Sequence, residues 1–342
     1  MPLRMRIFCC LFLLLFFFNL ILAAPPKTSN WILTFEDNFE LTSLDTNKWH
    51  PHDHFCGVRN NELQAYIPEN VIIENGLCKL KCEKKNANYG YCGLSSIVKE
   101  YASGIIISMN KFDQKYGYFE IRCKIPKGKG YWPAFWLLPY NKWPPEIDIL
   151  EILGHEPNKV YMTNHYIVNG QHQSTGSSFL GPDFSKDFHT FGVEWDSLKL
   201  VWYVDSIERF RSTNGIPQEP FYILINLALG GSWPGSPDST TIFPGFFEID
   251  WVRAYKKTDT YTLNNKNIFK LNNINVYKYN KTLILHNNNY DSYIKIFMLK
   301  GQEITRIFIN ANSTKNINLT QQGIYLLQIK NDKYIKQIKI LY

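Results

Sequence analysis

Pro144-Pro145-Glu146-Ile147-Asp148-Ile149-Leu150-Glu151 is the stretch that decides the fold. In a regular strand successive side chains alternate, so Glu146 and Asp148 share one face while Ile147 and Ile149 enter the core on the other. Glu151 would then point the wrong way. One extra residue in a β-bulge, around Ile149 or Leu150, returns it to the acidic face, and bulges of this kind are over-represented beside active sites. A surface strand whose acids merely face water is the alternative. The double proline, the tryptophans close by and the bulge argue against it.

Working outward, Gly128 to Leu153 reads GKGYWPAFWLLPYNKWPPEIDILEIL, two tryptophan clusters leading into the acidic strand. Before it, strand-like runs cover Trp31 to Phe39, Val71 to Cys82, Gly104 to Met109 and Tyr116 to Ile125; after it, Lys159 to Val168, Thr190 to Trp195, Leu198 to Asp205, Phe221 to Leu229 and Gly245 to Tyr255. Aromatic residues make up 15% of the chain. Short runs of this spacing predict an all-β protein built on a large antiparallel sandwich.

Three carboxyls on one face are costly, because like charges at close range raise one another's pKa. Glycoside hydrolysis with retention uses that arrangement: an ionised nucleophile and a protonated acid about 5 to 5.5 Å apart, and a third carboxyl able to share a proton between them. Trp132, Trp136 and Trp233 offer broad, rigid faces for the apolar sides of pyranose rings. Trp132 and Trp136 are four apart and share a strand face, so both line a cleft or both are core. Trp233, within Gly230-Gly231-Ser232-Trp233-Pro234-Gly235, reads as a loop residue.

EIDILE resembles the bulged ExDxxE signature of glycoside hydrolase family 16, and the likeness extends from about Trp31 to Lys257. It includes FEDNFE, RNNELQAY, GYWPAFWLLP, FHTFGVEWD, NLALGGSWPG and EIDWVRAY. The resemblance implies a concanavalin-like β-jelly-roll sandwich with a concave cleft, Glu146 as nucleophile, Glu151 as acid/base and Asp148 as the assisting carboxylate. It also implies Arg59, Asn61 and Glu62 near the sugar, with His165 beside Glu151. A structural calcium site on the convex face is implied at Glu36, the Gly76 carbonyl and Asp250, calcium preferring oxygens from separate segments; no cofactor is implied for catalysis. The expected substrate is a β-1,3- or mixed β-1,3-1,4-glucan. An agar-type galactan, or a catalytically silent lectin-like role on the same sandwich, is the alternative.

Net charge divides unevenly. Residues 25–257 carry 23 basic against 26 acidic side chains, residues 258–342 carry 12 against 4. A nearly neutral, tryptophan-rich domain offers no electrostatic footprint for nucleic acid and suits an uncharged β-linked polysaccharide. Arg4, Arg6, the apolar run Ile7 to Leu22 and the small Ala23 and Ala24 read as a signal peptide over 1–24. The mature chain is expected to be secreted or at the cell surface, monomeric and without a membrane span. Cys56, Cys78, Cys82, Cys92 and Cys123 remain after cleavage, an odd number, with pairing left open.

After Lys257 the composition turns to Asn, Lys, Ile and Tyr, and tryptophan disappears. The catalytic domain is expected over 25–257, a linker over 258–273 and a small β-sandwich over 274–342. That last segment resembles the C-terminal sorting domain of the type IX secretion system, through Ile294-Lys295-Ile296-Phe297, Gly323-Ile324-Tyr325-Leu326-Leu327 and the basic close at Lys336 to Lys339. The type IX machinery is the partner this implies. Val276-Tyr277 lacks the Pro-Asn-Pro that usually follows.

Overall fold

The computed structural model describes residues 25–26, 31–54, 59–89, 93–257, 268–271, 274–279, 282–287, 291–298, 301–319, 324–330 and 335–341. Two compact units divide the chain, Met1–Asp259 and Thr260–Tyr342. The predicted signal segment, Cys56 and Cys92 lie outside the described residues.

In the first unit the chain forms β1 (Trp31–Asp37), β2 (Gln64–Tyr66), β3 (Val71–Glu74), β4 (Leu77–Tyr89), β5 (Leu94–Ser103), β6 (Ile105–Ile107), β7 (Asp113–Gln114) and β8 (Gly117–Lys124). It continues with β9 (Tyr131–Leu138), β10 (Glu146–Ile152), β11 (Lys159–Val168), β12 (Gln171–Leu180), β13 (His189–Trp195), β14 (Leu200–Val204), β15 (Ile207–Ser212), β16 (Phe221–Leu229) and β17 (Gly245–Lys257). One sheet runs β15-β14-β13-β8-β17-β4-β5-β2, with β1 on β17 and β3 on β4. The other runs β12-β11-β10-β9-β16-β6, with β7 on β16. This is a jelly roll. Among the described residues no helix is long and apolar enough to cross a membrane.

One apolar core lies between the sheets. Phe119, Ile121, Val193 and Val252 from the first meet Phe135, Leu137, Ile147 and Ile223 from the second. The alternation of β16 shows how the second sheet sorts its faces. Phe221, Ile223, Ile225, Leu227 and Leu229 enter that core, while Tyr222 and Leu224 join Tyr66, Ile105, Ile107 and Leu138 on the opposite face, toward the cleft.

Some expected runs divide. Val71 to Cys82 is two strands, β3 and β4, because Asn75 and Gly76 both take positive φ and turn the chain into a hairpin. The short β2 and β7 and the longer β5, β12 and β15 fall outside the expected runs; the longer three share one reason. Their mixed polar sequences suit strands that bury little apolar surface, and β12 is mostly exposed.

The second unit contains β18 (Ile268–Leu271), β19 (Ile274–Tyr279), β20 (Thr282–Asn287), β21 (Ser292–Met298), β22 (Glu303–Ile309), β23 (Ser313–Asn318), β24 (Ile324–Lys330) and β25 (Ile335–Leu341). They form two four-stranded sheets, β18-β19-β20-β23 and β22-β21-β24-β25. Ile274, Val276, Leu283 and Leu285 of one share a core with Ile294, Ile296, Leu327 and Ile329 of the other. The stretch expected as linker, 258–273, contains β18, paired with β19 from Ile268↔Tyr277 to Leu271↔Ile274. Surrounding Asn and Lys residues hide a four-residue run, Ile-Phe-Lys-Leu, too short to register as a strand alone.

Candidate active site

β10 carries the site, and its register slips where the sequence required. Against β9 the pairs are Ile147↔Leu137 and Asp148↔Trp136, then Leu150↔Phe135 and Glu151↔Ala134. Against β11 the slip falls between Asp148↔Thr163 and Glu151↔Tyr161. The bulge sends Ile149 and Leu150, consecutive residues, both into the core at 1% and 0% exposure. Burying two such side chains is worth roughly 3–6 kcal/mol, more than the one or two ladder hydrogen bonds lost, at about 1 kcal/mol each. The Asp148 carbonyl, at the slip, accepts a bond of 2.8 Å from Trp202 Nε1, a buried indole of the opposite sheet.

Glu146, Asp148 and Glu151 consequently face one cleft of about 540 Å³, lined also by Arg59, Glu62, Tyr66, Trp132, Trp136, Trp143 and Asn226. Each outer glutamate accepts a bond from an indole: Trp143 Nε1 to Glu146 Oε2 at 3.0 Å, and Trp132 Nε1 to Glu151 Oε1 at 3.1 Å. Asp148 is buried between them. The charges of Asp148 and Glu146 act on one another across the face of the strand, and a proton on either relieves the repulsion.

Desolvation is the largest influence on all three carboxyls. It pushes Glu146 well above the ordinary glutamate range, helped by the charge of Asp148 and opposed by His165 and the Trp143 bond. Asp148 is likewise pushed well up, with the Glu151 charge adding to burial. Glu151 rises to about 7, through burial and then the Glu146 charge, against the Trp132 bond. The row therefore holds protons at pH values where a solvated carboxylate has lost them.

His165 corrects an expectation. The resemblance implies a place beside Glu151, but antiparallel register sets it opposite Glu146, while Glu151 faces Tyr161. Its Nε2 lies 3.2 Å from Asp148 Oδ2 and 3.8 Å from Glu146 Oε1. On its other side Nδ1 is 2.9 Å from His172 Nε2 of β12, and the two rings stack at 5.1 Å beside Trp143.

The cleft walls are built by clamping two loops together. Ser232 N donates to the Asn60 carbonyl, Asn61 Nδ2 to Ser232 Oγ at 2.9 Å, and Glu62 bridges Gly230. Gly231 has φ +110° and a Cβ there would stand 2.7 Å from the Asn60 carbonyl, so only glycine fits. Asn61 is thus a brace, with its amide on Ser232. Glu62 lines the cleft, accepting from Asn60 and Gln64, and Arg59 lines it while paired to buried Asp53. Trp132 and Trp136 both border the cleft. Trp233 is 41% exposed and meets Trp132 and Tyr161 edge-on, at 5.4 and 4.8 Å.

Trp143, His172, Asn226 and Tyr66 belong to the site without having been singled out. Asn226 accepts from Trp136 Nε1 at 2.7 Å and donates to Tyr66 OH at 2.9 Å, fixing the tryptophan. A polar residue inside the otherwise apolar FYILINLAL run was the available signal. His172 had none, since only sheet pairing brings β12 beside Trp143.

The donor set expected for calcium does not fit as arranged. Glu36 accepts from Arg253 Nε at 2.8 Å, and Asp250 is paired to Arg122. A permanent guanidinium on each carboxylate supplies the positive charge an ion would bring. Gly76 sits in the hairpin turn between β3 and β4.

A jelly roll with a carboxylate row on a bulged strand and indoles along its cleft defines a protein of the polysaccharide-hydrolase class. Comparison with known proteins agrees. Residues 64–253 match the model of glycosyl hydrolases family 16, and the chain belongs to that family. It is 33% identical to glucan endo-1,3-beta-glucosidase A1 of Niallia circulans over 68% of this chain, but spans only 39% of that protein's length. With the beta-glucanase of Rhodothermus marinus it shares 31% identity over 67% of this chain and 87% of the relative. The catalytic domain of an endo-1,3-beta-glucanase (laminarinase) from Thermotoga petrophila superposes with a TM-score of 0.60 at 35% identity, covering 68% of this chain and all of that one.

Proposed function

We propose that this protein is an exported retaining endo-β-glucanase that cleaves β-1,3- or mixed β-1,3-1,4-glucan. The observation that carries the reading is the bulge, which puts Glu151 on the face of Glu146 and Asp148. In the first step the Glu146 carboxylate attacks the anomeric carbon as the glycosidic bond breaks, and Glu151 gives its proton to the departing oxygen. Glu151, now ionised, takes a proton from water, which displaces Glu146 and restores the β configuration. Asp148 keeps the proton shared with Glu146, so that the nucleophile is ionised while its neighbour is not. Trp132, Trp136 and Trp233 give the sugar rings apolar faces, and Arg59 and Glu62 give polar contacts in the cleft.

The glucanase activities of the three relatives named above support glucan over galactan, and three carboxyls held for proton traffic support a hydrolase over a binder. The basic C-terminal unit, with its own core, is read as the export signal for the type IX machinery. The test is to incubate the protein with laminarin, mixed-linkage β-glucan and agarose and follow early products by proton NMR. Oligosaccharides from a glucan, with the β anomer first, are expected, and Glu146→Gln or Glu151→Gln should lower turnover by several orders of magnitude. Release of the α anomer first, or cleavage of agarose alone, refutes the reading.

A further inference from the structure

The sequence His50-Pro51-His52-Asp53-His54 lies apart from the carboxylate row and has no part in the chemistry above. Its three imidazoles converge. Ring centroids are 5.4 Å apart for His50 and His52, 4.7 Å for His50 and His54, and 4.9 Å for His52 and His54. One nitrogen from each lies within 4.8 Å of the other two. The segment is anchored at one end, where His50 exchanges backbone bonds of 2.8 and 2.9 Å with Ile107 of β6. At the other, Asp53 is buried against Arg59.

Three like side chains pressed together and half-buried need a reason, because each imidazole makes it harder for the next to carry a proton. Burial is the first cause of the depression in all three. It takes His50 down to about 4, with Lys111 and the other two histidines adding to it. His52 and His54 are also lowered. All three are thus neutral at neutral pH, the form in which imidazole is a ligand. The Nε2 of His54, moreover, is buried with no hydrogen-bond partner.

We propose that His50, His52 and His54 form a binding site for a borderline transition-metal ion, Zn²⁺, Cu²⁺ or Ni²⁺, with water completing the coordination. Three neutral nitrogens suit such ions, whereas magnesium and calcium require oxygens. Local charge sharpens the choice. Lys111, near enough to depress all three histidines, repels any cation, and the Asp53 charge is engaged by Arg59. Only an ion that gains strongly from nitrogen donors offsets that repulsion. Zinc–nitrogen bonds of about 2.0–2.1 Å bring tetrahedral ligands to about 3.3 Å from one another, so the rings need to tilt inward by roughly 1 Å. Because Asp53 lies between two of the ligands and holds Arg59, a bound ion braces the cleft wall that Arg59 lines.

The experiment is calorimetric titration of untagged protein with zinc chloride, with Glu146→Gln as control for the separate cluster of Glu146, Asp148 and His165. One ion should bind with a Kd at or below roughly 10 μM. His52→Gln and His54→Gln should each weaken it at least tenfold, and Glu146→Gln should leave it unchanged. In the wild type, substoichiometric Cu²⁺ should broaden the imidazole proton signals of His50, His52 and His54 before those of His165 and His172. This readout does not depend on any variant folding. No zinc binding, binding lost in Glu146→Gln but kept in the histidine variants, or broadening at His165 first overturns the proposal.

Discussion

Replacing Glu151 by glutamine should abolish turnover and, at the same time, stabilise the protein at neutral and alkaline pH. Burial and the neighbouring Glu146 charge raise Glu151 to about 7 from an ordinary value of 4.5. Between those two values the folded state keeps a proton that the unfolded chain has released, so the free energy of unfolding falls as pH rises through this window. Above pH 7 the folded protein carries the whole cost of ionising Glu151, of the order of 3 kcal/mol at 1.36 kcal/mol per unit. Glutamine never ionises. Its carbonyl oxygen still accepts from Trp132 Nε1, so the cleft is retained. At roughly 2–4 °C per kcal/mol for a domain of this size, the melting temperature of Glu151→Gln should exceed the wild type by about 6–12 °C at pH 8. The gain should vanish near pH 4, where Glu151 is protonated in both states. Differential scanning calorimetry between pH 4 and 8 provides the measurement. A variant less stable than wild type at pH 8, or a gain equally large at pH 4, would falsify the claim that Glu151 is held against its own charge.

Three further outcomes follow from the same site. Activity should fall as pH rises through about 7, where Glu151 loses the proton it gives to the leaving oxygen; a rate still climbing at pH 9 would remove Glu151 as the acid. Trp143→Phe, at a residue 55% exposed, should lower kcat by roughly ten- to a hundredfold through loss of the bond to Glu146, with little change in melting temperature. Calcium and a chelator should each leave the melting temperature within about 1 °C, because Arg253 and Arg122 occupy Glu36 and Asp250; a rise of several degrees with calcium shows that those arginines yield to the ion.

What the sequence disclosed about this protein followed from short-range periodicity. Three carboxyls with Ile147, Ile149 and Leu150 between them admit only one arrangement that sends the apolar residues into the core and keeps the carboxyls together on the other face. The same logic located β11 and β16, whose bounds Lys159–Val168 and Phe221–Leu229 match the expected runs. It failed for β12, where little is buried and polar residues follow no period. His172 was lost with it. His165 beside Glu151 rested on the resemblance alone, and which carboxylate it opposes is set by the pairing of β10 with β11, which joins Glu146 to His165.

The balance of charge in the site was beyond the reach of the sequence because its determinants are distant along the chain. Glu151 is tuned by an indole nineteen positions earlier, and the Asp148 carbonyl is satisfied by Trp202, 54 positions later and in the other sheet. These contacts explain why the bulge persists beside three mutually repelling groups. The apolar insertion of Ile149 and Leu150 fixes the backbone, Trp202 removes the cost of the freed carbonyl, and Trp143 and Trp132 each give one donor to an outer carboxylate. The Asp148 carboxylate lies 3.2 Å from His165 Nε2, with Glu146 beside it. On the proposed mechanism Asp148, pushed up by burial and by the Glu151 charge, keeps a proton, leaving one glutamate to carry charge and the other to move a proton.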